Sequence, residues 1–352
     1  MQLKKDAVVL GIETSCDETA VGIVKGGRKI LADEIISSAA EHVRFGGVVP
    51  EIASRAHTEA VLEATKRALG AAGMSFGDID AIAVTYGAGL LGALLVGVSF
   101  AKGLAYALDK PLVAVNHIRG HIAAAYLADE ALEPPFVTLL ASGGHTAVIR
   151  VKDYLGHEVL GSTLDDAAGE AFDKTARVLG LEYPGGPNVE KLARQGKNAI
   201  KFPAMLKGSH TYDFSYSGLK TSVVNYVHSK RQKGEAFSAA DVAASFQSAA
   251  LDVLAEKLFA AARAVGAKTV TAGGGVSANG YLRELLSRRA EQEGVKLVLP
   301  ERRYCTDNAC MIAAEGYIQY INGNFAGLDL NAKASIPLRN ALNGGKNNDQ
   351  HI

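Results

Sequence analysis

Short apolar runs and longer stretches with helical spacing take turns along this chain. Residues 7–13 (AVVLGIE) form a continuous apolar run closed by Glu13, which predicts a buried strand. A polar turn over 14–18 leads into a second strand at 19–24. Residues 50–72 set Ile52, Ala56, Ala60, Leu62 and Leu69 at helical spacing, and Gly73 stops that helix. A strand at 79–84, the loop Tyr86-Gly87-Ala88-Gly89, a helix to about Leu108 and a strand at 111–115 complete the first cycle.

A second cycle begins with strands at 136–141 and 146–151, joined by Ser142-Gly143-Gly144-His145. Helical spacing follows over 167–180, the loop Pro184-Gly185-Gly186-Pro187 feeds another helix, and 238–264 is a long alanine-rich helix. A strand at 269–272, a helix running through Ala290, a strand at 295–299 and a helix opened by Asp307 and running to about Ile321 close it. The two openings align without gaps, Ser15-x-x-x-Thr19-Ala20-Val21 on Ser142-x-x-x-Thr146-Ala147-Val148, each as strand, polar turn, strand. An internal duplication explains the match; chance likeness of two hairpins is the competing explanation. Strands alternating with helices make the class α/β, as two related lobes with a cleft between.

Composition narrows the picture. A chain of 352 residues, 48% of them hydrophobic, is long enough for two cores. Lys plus Arg and Asp plus Glu number 37 each, which argues against a free-standing, strongly basic nucleic-acid binder. Cys16, Cys305 and Cys310 form no CxxC pair, which fits reduced thiols in a cytoplasmic protein. The segment 88–108 is apolar, but Lys102 and several glycines make it a core helix and not a membrane span. The N-terminal run is too short and too soon followed by Glu13 for a signal peptide.

The candidate chemistry starts from His117 and His121 in Asn116-His117-Ile118-Arg119-Gly120-His121. Their spacing is about one helical turn, so both imidazoles share a face able to hold a metal. A pair of ordinary helix histidines has the same spacing. Ile118 stands where the zincin proteases need a glutamate base, so that chemistry is absent. A carboxylate such as Asp307 would complete a two-His, one-carboxylate set suited to iron or zinc. Ser142-Gly143-Gly144 offers successive backbone N–H groups to phosphate oxygens, or is simply a hairpin turn. Gly273-Gly274-Gly275 with Ser277 and Asn279 at a helix start offers a surface for a nucleoside. It is neither a P-loop nor a dinucleotide fingerprint. Asp173, and Glu190 after the PGGP loop, are the acids best placed to accept from ribose hydroxyls. The basic clusters at 230–233, 288–289 and 302–303 together suit phosphate contacts, although each alone reads as a solvated cluster.

Eight segments in order carry a resemblance: GIETSCDETA at 11–20, NHIRGH at 116–121, ASGGHT at 141–146, GEAFDK at 169–174, PGGP at 184–187, DFSYSGLKT at 213–221, GGVSAN at 274–279 and CTDNA at 305–309. Over about residues 8–338 the chain resembles the universal tRNA threonylcarbamoyladenosine-forming transferases, in the bacterial form TsaD, once labelled O-sialoglycoprotein endopeptidases. The resemblance implies an actin/hexokinase-like ATPase fold (ASKHA) with two ribonuclease-H-like lobes. The expected division is an N-terminal lobe at 1–115, a C-terminal lobe with the metal and nucleotide groups at 116–324, a return segment at 325–340 and a polar tail at 341–352. The implied reaction transfers threonylcarbamoyl from threonylcarbamoyl-AMP to N6 of adenosine 37 in tRNAs reading codons that begin with A.

By motif match the metal-binding and catalytic groups fall on His117, His121 and Asp307. The nucleotide contacts fall on Leu140, Ala141, Ser142, Gly143, Gly144, Asp173, Gly186, Glu190 and Asn279. The implied cofactor is one divalent metal, iron or zinc, and the nucleotide site would also accept ATP, ADP or AMP. The implied partners are tRNA, a degenerate TsaB-like paralogue docked on the N-terminal lobe through the apolar stripe of 50–72, and a TsaE-like P-loop ATPase, with no membrane. Arg119, where relatives often have glutamate, and Ala334-Ser335-Ile336-Pro337, in place of an Arg/Trp-containing run, depart from the family pattern. The rival readings are an actin-fold small-molecule kinase or ATPase, which has no use for the histidine pair, and a metallopeptidase, which lacks its glutamate.

Overall fold

The computed structural model describes residues 3–342. Contacts divide the chain into two compact units. The first holds the chain up to Pro134, Lys152–Glu158 and the chain from Arg303 on; the second holds Pro135–Val151 and Val159–Arg302.

The first unit contains β1 (Val8–Glu13), β2 (Glu18–Lys25), β3 (Lys29–Ser37), the short α1 (Ala39–His42), α2 (Pro50–Ala72), β4 (Ala81–Gly87), α3 (Leu91–Leu108), β5 (Leu112–Asn116) and α4 (His117–Ala128). The second contains β6 (Phe136–Ala141), β7 (Thr146–Val151), most of β8 (His157–Ser162), α5 (Ala168–Leu179), α6 (Gly185–Ala193), α7 (Ser217–Gln232), α8 (Ala239–Ala264), β9 (Thr269–Gly273), α9 (Gly280–Glu293) and β10 (Lys296–Val298). The chain then rejoins the first unit with α10 (Ala309–Ile321) and α11 (Leu338–Leu342).

Both sheets have one topology. The first runs β3-β2-β1-β4-β5 and the second β10-β9-β6-β7-β8, the same order read from the other edge. In each, an antiparallel hairpin (β1–β2, β6–β7) is followed by parallel pairing of its first strand with a later one (β1–β4, β6–β9). The registers match the sequence alignment: Glu13 faces Ala20 as Leu140 faces Ala147. The duplication seen in two short motifs therefore extends to whole sheets.

β1 is buried along its length because helices cover both faces of its sheet. Its side chains alternate accordingly. Val8, Leu10 and Ile12 join Val61, Ala64, Leu94 and Val98 of α2 and α3, while Val9 joins Met311, Ile312 and Ala313 of α10. α3 is long and apolar enough to cross a membrane by length and composition alone; here it packs on β4 and α2. The second core gathers Val137 and Leu139 of β6 with Phe172 of α5 and Phe246 of α8, whose rings meet edge-on at 4.9 Å.

Several expectations need correction. The lobe boundary at 115 is not where contacts divide the chain: α4 and α10 pack on each other and on the first sheet, so the histidines and Asp307 lie in the first unit. The residues named on 50–72 do not share a face. α2 buries Ala53, His57, Val61, Ala64, Ala68 and Leu69, whereas Leu62 is exposed and Ile52, Ala56 and Ala60 flank the buried side. The segment 325–340 makes bridges from Ala326 to Leu112 and from Lys333 to Gly87. Of the tail at 341–352, Ala341 and Leu342 are buried in α11, and the rest lies outside the described residues.

The first turn of α10 rests on backbone where β1 and β2 carry glycine. A Cβ at Gly11 would strike Ala309 O and stand 2.7 Å from Ala313 N; one at Gly22 would stand 2.6 Å from Cys310 N. Gly11→Ala is therefore expected to lower stability by about 1–3 kcal/mol through overpacking. An unchanged urea midpoint would show that α10 can move away from the sheet without cost.

Candidate functional site

Asn116 ends β5 and caps α4, its Oδ1 accepting from Ile118 N at 2.9 Å. His117 and His121 are thus the first and fifth residues of a helix whose start is pinned to the sheet, and their rings meet edge-on with centroids 4.6 Å apart. Asn308 caps α10 by accepting from Met311 N at 2.9 Å, and its amide donates to Thr306 O. Asp307 therefore precedes the helix and does not open it, which leaves its carboxylate to the imidazoles. Its Oδ1 lies 3.4 Å from Nε2 of each histidine. One ligand atom from each of the three residues fits within 4.8 Å.

A second acid joins this group. Glu13, at the end of β1, is fully buried. Its Oε2 lies 3.0 Å from His117 Nδ1 and accepts from the Thr85 hydroxyl at 2.6 Å, while its Oε1 accepts from Ser15 N. Motif reading missed Glu13, Thr85 and Ser15. The available signal was an acid closing an otherwise apolar strand.

Charge inside the group is divided unequally. Burial opposes the His117 imidazolium, but the carboxylates of Asp307 and Glu13 hold its pKa well above the ordinary value. Burial, reinforced by the His117 charge, pushes His121 down. Burial also opposes ionisation of Asp307 and Glu13, yet the imidazoles keep Asp307, and His117 keeps Glu13, below the usual carboxylate range. Both ring nitrogens of His121 are buried and make no hydrogen bond among the described residues, Nε2 having only its long 3.4 Å contact with Asp307. An orphaned imidazole beside a carboxylate suits a bound cation, and a two-nitrogen, one-oxygen donor set suits iron or zinc.

Arg119, between the two histidines, points the other way. Its Nε donates to Glu315 Oε1 of α10 at 2.6 Å, and its guanidinium also donates to the carbonyls of Tyr154, Leu155 and Leu342. Arg119 thus forms a buried ion pair with Glu315 that joins α4 to α10.

The remaining candidates lie in the second unit. β6 ends at Leu140 and Ala141, and the turn 142–145 closes on itself through Ser142 N donating to His145 O at 2.8 Å. Gly143 and Gly144 are exposed, and a Cβ on either would meet nothing within 4 Å. Two other segments press on this turn through glycine. A Cβ at Gly169, in the first turn of α5, would stand 2.7 Å from Ser142 O. Gly274, at φ +88°, abuts Ala141 O. One turn along α5, Asp173 Oδ1 accepts from Gly185 N at 2.9 Å and so holds the PGGP loop that contains Gly186. Burial raises the Asp173 pKa against the pull of those backbone donors. Glu190 Oε1 accepts from Gly280 N at 3.1 Å and from Arg194. Asn279 caps α9 through Leu282 N and donates to Gln247. The starts of α5, α6 and α9 thus converge by the carboxyl ends of β6 and β9, where open α/β sheets place ligands. Asp173, Glu190 and Asn279 are already engaged in holding that arrangement.

Comparison with known proteins bears on what these groups do. The family model for TsaD, tRNA N6-adenosine threonylcarbamoyltransferase, matches residues 29–314. A tRNA N6-adenosine threonylcarbamoyltransferase of Moorella thermoacetica is 52% identical over 338 residues, covering 96% of this chain and 99% of that one. The enzyme of the same name from Clostridium perfringens is 51% identical over 94% of this chain and 98% of its own. Among solved structures, HypF of T. kodakarensis superposes with TM-score 0.62 at 18% identity, over 94% of this chain and 50% of that one. Component A of (R)-2-hydroxyglutaryl-CoA dehydratase from Acidaminococcus fermentans does so with TM-score 0.52 at 18% identity, over 90% of this chain and 99% of its own. At that identity the two structures speak for the two-lobed actin/hexokinase-like fold alone. The extent of the sequence match decides the family: the chain belongs to TsaD, the tRNA N6-adenosine threonylcarbamoyltransferases.

Proposed function

We infer that this chain transfers the threonylcarbamoyl group of threonylcarbamoyl-AMP to N6 of adenosine 37 in tRNAs reading codons that begin with A. The observation that carries the reading is the 52% identity to a tRNA N6-adenosine threonylcarbamoyltransferase over 96% of the chain. In the reaction a bond forms between N6 and the carbamoyl carbon, the bond from that carbon to phosphate oxygen breaks, AMP leaves, and N6 gives up a proton. No covalent enzyme intermediate is needed, and Cys305 and Cys310 are both fully buried in packing.

His117, His121 and Asp307 are proposed to hold one divalent metal, iron or zinc. A bound metal would supply Lewis-acid polarisation of the donor and take up negative charge as AMP departs. The backbone amides of Gly143 and Gly144 are proposed to receive the phosphate, with Leu140 and Ala141 bringing the strand end to it and Ser142, whose own N–H is held by His145 O, closing the turn. Asp173, Gly186, Glu190 and Asn279 are proposed to order the nucleoside side by keeping the PGGP loop and the start of α9 in place. Holding donor and acceptor in reacting geometry accounts for much of the remaining rate. ATP, ADP and AMP share the phosphate and adenosine features that this site would recognise.

The partners are proposed on charge. With no formal net charge the chain has little long-range attraction for a tRNA backbone, whose binding is dominated by salt-dependent phosphate contacts. A TsaB-like paralogue and a TsaE-like ATPase would add basic surface. The exposed Leu62 flank of α2, and not its buried face, is the part of that helix open to a partner.

Three outcomes test this reading. His117→Ala or Asp307→Ala should lower bound metal, measured by elemental analysis, and reduce transfer at least 100-fold with the fold retained. Full occupancy and activity in the double variant would remove the metal assignment. Gly143→Val should weaken adenine-nucleotide binding by about tenfold or more, because the new side chain enters the space a phosphate would occupy. Unchanged affinity by calorimetry at unchanged stability would move the phosphate site elsewhere. Transfer to unmodified tRNA should be slow for the chain alone and faster with both partners. Equal rates in the two mixtures would show the chain to be self-sufficient.

A further inference from the structure

Glu13 stands out among the buried groups because the fold itself does not ask for an acid there. A carboxylate removed from water is costly unless charge and hydrogen bonds compensate it. The duplicated sheet provides an internal control. Glu13 pairs with Ala20 at the end of the first hairpin, and Leu140 pairs with Ala147 at the same place in the second. Both positions are buried, and the second is satisfied by an apolar side chain. The acid occurs in the hairpin that lies beside the histidine pair.

Its surroundings hold it in one orientation. Ser15 N donates to Oε1, and the Thr85 hydroxyl donates to Oε2 at 2.6 Å. The same Oε2 lies 3.0 Å from His117 Nδ1, while the Ser15 hydroxyl is 3.2 Å from that nitrogen. His117 Nε2 is turned toward Asp307. His121 has no such anchor: its Nδ1 is without a partner among the described residues. An imidazole whose Nδ1–H donates to a carboxylate keeps its lone pair on Nε2 and becomes a stronger ligand.

We propose that Glu13 is a positioning residue for divalent-cation binding: it accepts the Nδ1–H of His117 and so presents the Nε2 lone pair of that ring to the space shared with His121 and Asp307. The inference rests on the reading of those three residues as metal ligands. Glu13 does not itself ligate; it sets the tautomer and orientation of one ligand and places a second negative charge behind the cation. Replacement by glutamine makes a sharp test. If the Gln carbonyl kept the Ser15 N–H, its NH2 group would face His117 Nδ1 and favour the tautomer with the proton on Nε2, where the cation should bind.

The experiment titrates chelator-treated full chain with Co2+ and reads the visible absorption of the bound ion. Wild type, Glu13→Gln, Thr85→Val and His117→Ala are compared. Glu13→Gln is expected to weaken Co2+ binding by about 10–100-fold and to alter the spectrum of the ion that still binds. Thr85→Val, which removes a donor to the carboxylate without touching His117, should lose less. Wild-type affinity and spectrum in Glu13→Gln, beside tight wild-type binding that His117→Ala abolishes, would overturn this inference and leave the metal site standing. Absence of Co2+ binding by the wild type would overturn both. A second measurement decides the matter even where Glu13→Gln fails to fold. In the Zn2+-loaded wild type, nitrogen NMR of 15N-histidine-labelled protein should show His117 Nδ1 carrying a hydrogen-bonded proton, and an unprotonated Nδ1 would refute the proposal.

Discussion

The first turn of α10 lies directly on the backbones of β1 and β2, at a separation that leaves no room for a side chain on Gly11 or Gly22. That contact brings a distant part of the chain to the site. Asp307 immediately precedes α10, and the Asn308 cap fixes how the chain enters it. α4 packs against the same helix, so His117 and His121 face Asp307 because both helices share one sheet and one buried interface. Arg119 and Glu315 reinforce the interface with a buried ion pair, which contributes only because each charge has its partner. Close packing of this kind transmits displacement, so a methyl group beneath α10 would be felt at the carboxylate in front of it.

The site concentrates ionisable groups where water is scarce. Two carboxylates and two imidazoles gather around His117, and burial works against each charge. The arrangement survives because opposite charges alternate: Glu13, His117 and Asp307 form a chain in which the middle ring answers both acids. His121, pushed toward its neutral form, is left without a hydrogen-bond partner. A cation would complete that set by giving the orphaned ring a partner and the paired acids a counter-charge. The second unit solves a different problem with different means. Its turn at 142–145 is held by backbone contacts and small residues, while its acids latch the surrounding loops.

Legibility in the sequence followed the strength of local signals. The helix at 50–72 with its Gly73 stop, the hairpins at both openings and the long helix at 239–264 were plain because period and caps agreed. β3 and β8 were missed. β3 alternates exposure irregularly, and both lie at sheet edges, where one side of the strand has no neighbour to demand apolar residues. α7 was missed because it buries only Leu219, Val223 and Val227 and lacks a cap of its own. Asp165, far away in sequence, supplies one by accepting from Tyr216 N at 2.7 Å and Ser217 N at 3.2 Å. The face assigned to α2 was misjudged because the small residues Ala53, Ala64 and Ala68, and the hydrogen-bonded His57, carry the burial.

By itself the sequence determined the α/β class, the duplication, the family and the residue types of both candidate sites, because strand and helix periods and short motifs are local properties. Only tertiary structure decided which groups act together. It placed the histidine pair and Asp307 in the first unit, since packing against a sheet and not chain order assigns a helix to its neighbours. It showed that Asp173, Glu190 and Asn279 also hold loops and helix starts. It also brought Glu13 and Thr85 to the back of His117, a relation no spacing encodes, because a buried carboxylate takes its meaning from the donors that folding gathers round it.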